Sequence, residues 1–304
     1  MSVMKDQRAT SEMNHITILG SIFAHAEKLR VTRSHKLQIF SAVFLCLLFA
    51  QTASAEYLLT TISSVGSNPN GVAYDSAKGE IFVVSQSSNT VSVISDATNT
   101  VVGSPISVGT APISAAYDSA KGEIFVTNFG SNNISVIDDT TNTVSTTISV
   151  GNGPVGAAYD SGKGEIFVTN YNDNTVSVID DTTNTVVGSP ISVGSHGRGV
   201  AYDSAKGEIF VTNNGTFTVS VIDDTTNTVV ATISVGSSPL GVAYDSGKGE
   251  IFVANFGSNS VSVISDSAPL SVPEFPLGGM VLMFVVSTAA YAVIRYRAMR
   301  ISHL

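Results

Sequence analysis

Three aromatic residues, Phe129, Tyr171 and Phe256, stand at equivalent places in a repeating sequence, each followed by Gly, Asn, Ser or Asp. Aromatic faces flanked by amides and hydroxyls can stack on sugar rings and hydrogen-bond the sugar hydroxyls. The same segments carry the Asn, Gly and Ser that turns need for their own geometry, so turn formation accounts for them equally. Ser195-His196-Gly197-Arg198 breaks the repeat at a neighbouring place, with Gly197 where other copies have proline. Between Glu56 and Val272, His196 is the one histidine and Arg198 the one arginine. The planar fork of Arg198 could meet an anionic sugar. A lone histidine cannot build the usual zinc site, and drift in an exposed loop explains both residues without a ligand.

Other groups point elsewhere. Asp138-Asp139, Asp180-Asp181 and Asp223-Asp224 each precede Thr-Thr-Asn-Thr. Paired carboxylates among oxygen donors could hold Ca²⁺, but the D-x-D-x-D-G loop is missing, and Asp before Thr and Asn is ordinary turn chemistry. No other cofactor is implied. Asn133-Ile134-Ser135 and Asn214-Gly215-Thr216 are N-glycosylation acceptors. Nothing assembles a catalytic set: there is no Ser-His-Asp grouping, no Gly-rich phosphate loop and no metal-ligand cluster, and the single cysteine, Cys46, lies in a leader. The expectation is a non-enzyme.

These residues are positioned by a repeat. Ala-Tyr-Asp-Ser recurs at Ala73, Ala116, Ala158, Ala201 and Ala243. A β-rich unit repeated every roughly 40 to 45 residues predicts propeller blades. In the second unit the strands read as Ile113–Tyr117, Glu123–Asn128, Ile134–Ile137 and Thr143–Val150, with the hairpin Asp118–Gly122 between the first two. Glu-Ile-Phe-Val is apolar at consecutive positions, as a strand covered on both faces must be. The fourth strand alternates, with Ala231, Ile233 and Val235 on one face, and Pro105 and Pro190 enter it within Gly-Ser-Pro. Proline with an extra residue fits a bulged outer edge. The hairpin set Asp75, Lys78, Gly79, Glu80 and its copies reads as a turn with Gly at positive φ, with no further role. Tyr57–Gly66 resembles a fourth strand with nothing before it, and Val261–Ile264 a third with nothing after it. The expected fold is therefore all-β: a five-bladed β-propeller of four-stranded blades, closed by the N-terminal strand.

Composition bounds the partners. Residues 56–272 hold twenty Asp and Glu against five Lys and one Arg, which excludes phosphate backbones and hence nucleic acid. Residues 1–32 form a non-repeat extension, either a gene-model artefact or a long n-region. Residues 33–55 read as a signal peptide: a basic flank, an apolar core from Leu37 to Ala50, and Ala53-Ser54-Ala55, with cleavage between Ala55 and Glu56. The propeller occupies 56–266 and a linker 267–276. The uncharged run 277–294 would span ~27 Å as a transmembrane helix. The basic tail 295–304 would stay in the cytoplasm, leaving the propeller outside.

Ile-Phe-Val-Thr-Asn at Ile124, Ile166 and Ile209, Ile-Phe-Val-Ala-Asn at Ile251, and the Val-Ser-Val-Ile and Thr-Asn-Thr-Val segments resemble the YVTN β-propeller repeat family, with Phe for the usual Tyr. That resemblance implies a secreted or cell-surface protein of the archaeal surface-layer type, usually seven-bladed where this chain has five units. Pro273-Glu274-Phe275-Pro276, the apolar run and the basic end resemble the archaeal PEF-CTERM sorting signal. This implies exchange of the helix for a lipid by a membrane peptidase; a plain anchor is the simpler alternative. The function expected is a structural, adhesion or protein-interaction role in the cell envelope or surface layer, with envelope proteins or surface glycans as partners. A lectin-like module is the alternative, and a propeller enzyme of the lactonase or lyase type a third reading.

Overall fold

The computed structural model describes residues 58–266. The expected leader, sorting motif and C-terminal helix lie outside them. Among the described residues no helix is long and apolar enough to cross a membrane.

Among the described residues, nineteen strands form five antiparallel sheets in chain order. The first holds β1 (Pro69–Asp75), β2 (Glu80–Ser85), β3 (Thr90–Ser95) and β4 (Thr100–Ser107). The second holds β5 (Pro112–Asp118), β6 (Glu123–Asn128), β7 (Asn133–Asp138) and β8 (Thr143–Ser149). The third holds β9 (Pro154–Asp160), β10 (Glu165–Asn170), β11 (Thr175–Asp180) and β12 (Thr185–Ser192). The fourth holds β13 (Gly197–Asp203), β14 (Glu208–Asn213), β15 (Thr218–Asp223) and β16 (Thr228–Ser234). The fifth holds β17 (Pro239–Asp245), β18 (Glu250–Asn255) and β19 (Ser260–Ser265).

Each sheet is a meander whose first strand meets the first strand of the next sheet, so β1, β5, β9, β13 and β17 line the inner side. The two apolar faces of the second strand explain the stacking. Phe82 packs against Ile124, Val126 and Ile137 of the following sheet. Phe125 does the same with Ile166, Val168 and Ile179, Phe167 with Ile209, Val211 and Ile222, and Phe210 with Ile251 and Val253. These four phenylalanines are 0 to 2% exposed, and full burial of each contributes about 1.5–3 kcal/mol. The fourth strands alternate in burial at the outer edge. The Gly-Ser-Pro copies make β4 and β12 eight residues long, bulged where Gly103 and Gly188 take φ +67° and +68°.

One expectation differs from what is found. Residues 58–66, the described part of the segment expected to close the ring, carry no strand, and the fifth sheet has three strands. The end of that segment is instead fixed on the first sheet: the Val65 carbonyl accepts from the hydroxyls of Ser85 and Ser92, and Ser67 N–H donates to Ser88 Oγ at 2.7 Å. The two ends of the series are both bare. Val72 and Tyr74 are 61% and 52% exposed at one end, and Val261 and Val263 are 61% and 54% exposed at the other.

Candidate functional site

The Thr-Asn that ends each second strand builds the rim. Asn128 donates to Ser135 Oγ and Asn133 Oδ1, both at 2.9 Å, and Asn170 donates to Ser177 Oγ at 2.9 Å and Thr175 Oγ1 at 3.1 Å. These amides are fully buried and lock the loop between second and third strands. The preceding threonine reaches across to the next sheet: Thr127 Oγ1 donates to the Val155 carbonyl at 2.8 Å, Thr169 to Arg198 at 2.9 Å, and Thr212 to Leu240 at 2.9 Å.

The residue after each Asn is then pinned at the mouth by its own N–H. Phe129 N donates to the Ala111 carbonyl at 3.1 Å, and Tyr171 N to Gly153 at 2.9 Å. Asn214 N donates to His196 at 3.0 Å, and Phe256 N to Ser238 at 3.0 Å. The acceptors all sit at positive φ, His196 at +59°, a region that a histidine enters more readily than most residues but still at a cost. Its N–H donates to Asn174 Oδ1 at 2.8 Å.

This frame brings four of the five candidate residues together. Tyr171 stacks on His196 with 4.5 Å between ring centroids and 18° between planes. Phe129 meets Tyr171 edge-on at 6.5 Å and 60°. Phe129, Tyr171 and Arg198 line an open cleft of about 280 Å³ with Gln86, Ile113 and Val155. An apolar floor, two aromatic walls, an amide and a guanidinium suit a ring-shaped ligand carrying a negative group. Phe256 stands apart: it is 74% exposed and lines a separate cleft of about 440 Å³ with Leu240, Ala254 and Val261 on the bare fifth sheet. Asn133 opens β7 with its side chain in the amide network, and Asn214 lies in the β14–β15 loop, its amide 3.4 Å from the Pro239 carbonyl.

The opposite end holds groups that sequence reasoning passed over. Tyr117, Tyr159, Tyr202 and Tyr244 each lie against the Asp that ends the first strand of the preceding sheet: Asp75, Asp118, Asp160 and Asp203. Those four carboxylates are completely buried, and one oxygen of each caps its hairpin, as Asp75 Oδ1 does for Ala77 N and Lys78 N. Burial first, then the facing carboxylate, raises each phenol, Tyr244 to about 12. Lysines of the same hairpins cross to the next sheet, Lys78 to Asp139 at 3.0 Å and Lys163 to Asp224 at 3.8 Å. The recurrence of Tyr, Asp and Lys in every repeat was the available signal.

The Asp pairs considered for Ca²⁺ diverge in their partners. Asp138 accepts from Thr141 N at 2.7 Å and Thr141 Oγ1 at 3.0 Å, while Asp139 takes Lys78. Among the described residues no three His, Cys, Asp or Glu side chains gather to hold a metal.

No protein-family model matches the chain, and no curated protein matches it. Solved structures do. The β-propeller domain of Cps50 (Swd1) from Myceliophteria thermophila is 12% identical, covering 70% of this chain and 69% of that one, with a TM-score of 0.57. A functionally unknown protein from Desulfotomaculum acetoxidans is 15% identical, covering 66% and 69%, with a TM-score of 0.55. With nineteen strands among the described residues, in four four-stranded sheets and a three-stranded fifth, the fold is that of a β-propeller.

Proposed function

We propose that this chain is an exported β-propeller held at the outer face of the cell membrane, where it serves as a structural, adhesion or protein-interaction component of the cell envelope or surface layer. The observation that carries this reading is a division of labour within the repeat. Residues common to the copies, such as Phe125, Thr169 and Asn170, are buried in packing and rim construction. Residues that differ, such as Phe129, Tyr171, His196 and Arg198, meet on one accessible rim. A rigid frame presenting one varied face suits recognition, and fold alone does not specify the partner. The leader before Glu56 and the Pro273–Pro276 motif supply the address in sequence. YVTN-type blades and a PEF-CTERM-type tail complete the proposal, with other envelope proteins as partners. An antibody to residues 58–266 should label intact cells and co-purify envelope components; labelling that needs permeabilised cells would refute it.

The cleft favours a second reading, a lectin-like module for an anionic glycan. It pairs the two rings of Phe129 and Tyr171 with the one guanidinium of the blades. On a glycan array the chain should bind uronate-bearing or sialylated sugars, and Tyr171→Ala and Arg198→Ala should each lose that binding. An array with no signal would remove this reading and leave the first standing.

A further inference from the structure

We infer that the two bare ends of the blade series bind each other between copies, the fifth sheet of one chain taking the first sheet of a second. The argument rests on the blade packing and not on the cellular location proposed above.

The tail face is a blade surface with its covering missing. Phe252 lies opposite Val263, and Ala254 opposite Val261, all on one face of the β18–β19 pair. The equivalents one sheet earlier, Phe210, Val221 and Val219, are 0 to 4% exposed. The head face is the complementary surface. Val72, Tyr74 and Ile81 correspond to the Val242, Tyr244 and Ile251 that pack onto the fourth sheet.

Polar groups at the ends complement each other in the same register. Every interior tyrosine meets the Asp of the sheet before it. Tyr159 also reaches Asp181 of its own sheet at 3.4 Å, and Tyr74, with no sheet before it, keeps only that own-sheet contact, to Asp96 at 3.0 Å. Asp245, the last of the Asp series, has no following tyrosine to meet. Lys248 is the fifth copy of the hairpin lysine, which crosses to the next sheet at Lys78 and Lys163; its side chain is 67% exposed and stands 4.0 Å from Glu250. Its expected acceptor is Asp96 of a second copy, which follows β3 as Asp139 follows β7.

Glycines record the same vacancy in the backbone. A Cβ at Gly71 would lie 2.7 Å from the Ile113 carbonyl oxygen, at Gly156 2.3 Å from that of Arg198, and at Gly199 2.4 Å from that of Leu240. At Gly241, the fifth-sheet equivalent of these positions, nothing lies within 4 Å. In the assembly the Asn70 carbonyl of the second copy would fill that place.

A second copy fits better than the chain's own first sheet because one molecule leaves both faces bare while its four interior packings repeat. The contact is head-to-tail, so it propagates until a ring closes.

The test uses the full chain in a Cys46→Ser background. Tyr74→Cys combined with Asp245→Cys, treated with a short bismaleimide, should give a ladder of dimers and higher species. An equimolar mixture of the two single variants should give a dimer that neither gives alone. A monomer-length band of altered mobility would show closure within one chain, and no cross-link would show no contact; either result overturns the inference. Sedimentation in density-matched detergent supplies a second reading. Val72→Asp and Val263→Asp alter exposed positions and should each stay monomeric, while their mixture forms dimers through the unaltered faces. Wild-type chain that remains monomeric at all concentrations overturns the inference as well.

Discussion

Tyr171 is sandwiched at the rim between a stacked imidazole and an edge-on ring, His196 at 4.5 Å and Phe129 at 6.5 Å. Three consecutive blades each contribute one member, so this short aromatic row joins them on the accessible side as the Phe125-type cores do inside. Aromatic pairs of this kind contribute about 0.5–1.5 kcal/mol each beyond area burial. Tyr171→Ala removes both contacts and should cost about 1–2 kcal/mol, a fall of roughly 2–8 °C in Tm for a domain of this size. Tyr171→Phe keeps both rings in place and should melt within about a degree of wild type. Thermal melts followed by circular dichroism check this, and equal melting of Tyr171→Ala and wild type would show that the row carries no energy.

His196 holds φ +59° at a place where the equivalents are Asn68, Ala111, Gly153 and Ser238. Glycine relieves that conformation at the expense of the stack on Tyr171, so His196→Gly should leave stability within about 1 kcal/mol. A β-branched residue cannot adopt it cheaply, and His196→Val should destabilise by about 1–3 kcal/mol. Urea unfolding of the two variants distinguishes backbone strain from ring loss, since both lack the imidazole. Equal loss in the two would assign the whole effect to the ring.

Much of this architecture was legible because the chain states it five times. The consecutive apolar run at Ile124-Phe125-Val126 implied a strand covered on both faces, and all three residues are fully buried. Pro105 and Pro190 implied a bulged outer strand, and β4 and β12 are bulged outer strands. The Tyr159–Asp118 contact was not legible, because it joins residues of adjacent sheets whose approach depends on how the sheets stack. The same limit applies to the closing strand. Thr60-Thr61-Ile62-Ser63 repeats Thr146-Thr147-Ile148-Ser149 letter for letter, yet pairing with β19 depends on the angle between blades, which residue type does not encode. Phe129 and Phe256 occupy one repeat position and have different surroundings for a related reason. A blade carrying another aromatic follows Phe129, whereas among the described residues none follows Phe256.

Stability should be greatest in mildly acidic solution. Burial raises Asp118, Glu123, Glu165, Glu208 and Asp224 above the usual carboxylate range. The folded chain therefore holds those protons more readily than the unfolded one. Their contribution is fully present below the unfolded pKa near 4 and is lost as pH rises through the raised values. Hydrogen bonds from Thr141, Thr183 and Thr226 lower Asp138, Asp180 and Asp223. Their contribution has the opposite sign: it is present above about pH 4 and lost as pH falls through the lowered values. The raised phenols of Tyr117, Tyr159, Tyr202 and Tyr244 set the alkaline limit, with stability lost above about pH 10. Calorimetry should find a higher Tm near pH 5 than near pH 7.5, and Asp118→Asn should narrow that difference. A Tm that rises from pH 5 to 7.5 would contradict the assignment.

Gly156 and Gly241 occupy the same position on β9 and β17 and should respond oppositely to one methyl group. At Gly156 an added Cβ would stand 2.3 Å from the Arg198 carbonyl oxygen and 3.1 Å from Thr169 Oγ1. The backbone of β13 cannot yield without disturbing the Thr169 hydrogen bond to Arg198, so Gly156→Ala should cost about 1–3 kcal/mol, the range of an overpacked interior site. It should also loosen the third sheet from the fourth, visible as faster hydrogen exchange in β9 and β13. At Gly241 the same methyl meets nothing within 4 Å. Gly241→Ala should therefore leave the single chain's stability unchanged or raise it by up to about 1 kcal/mol, through the entropy of the unfolded chain. Where copies associate end to end, the Gly241 methyl would meet the incoming Asn70 carbonyl, so the substitution should weaken association while the melt of dilute chain stays at the wild-type value. Paired melts of the two variants at low and high protein concentration read out both effects. A cost at Gly241 in dilute solution equal to that at Gly156 would show that the fifth sheet is already covered.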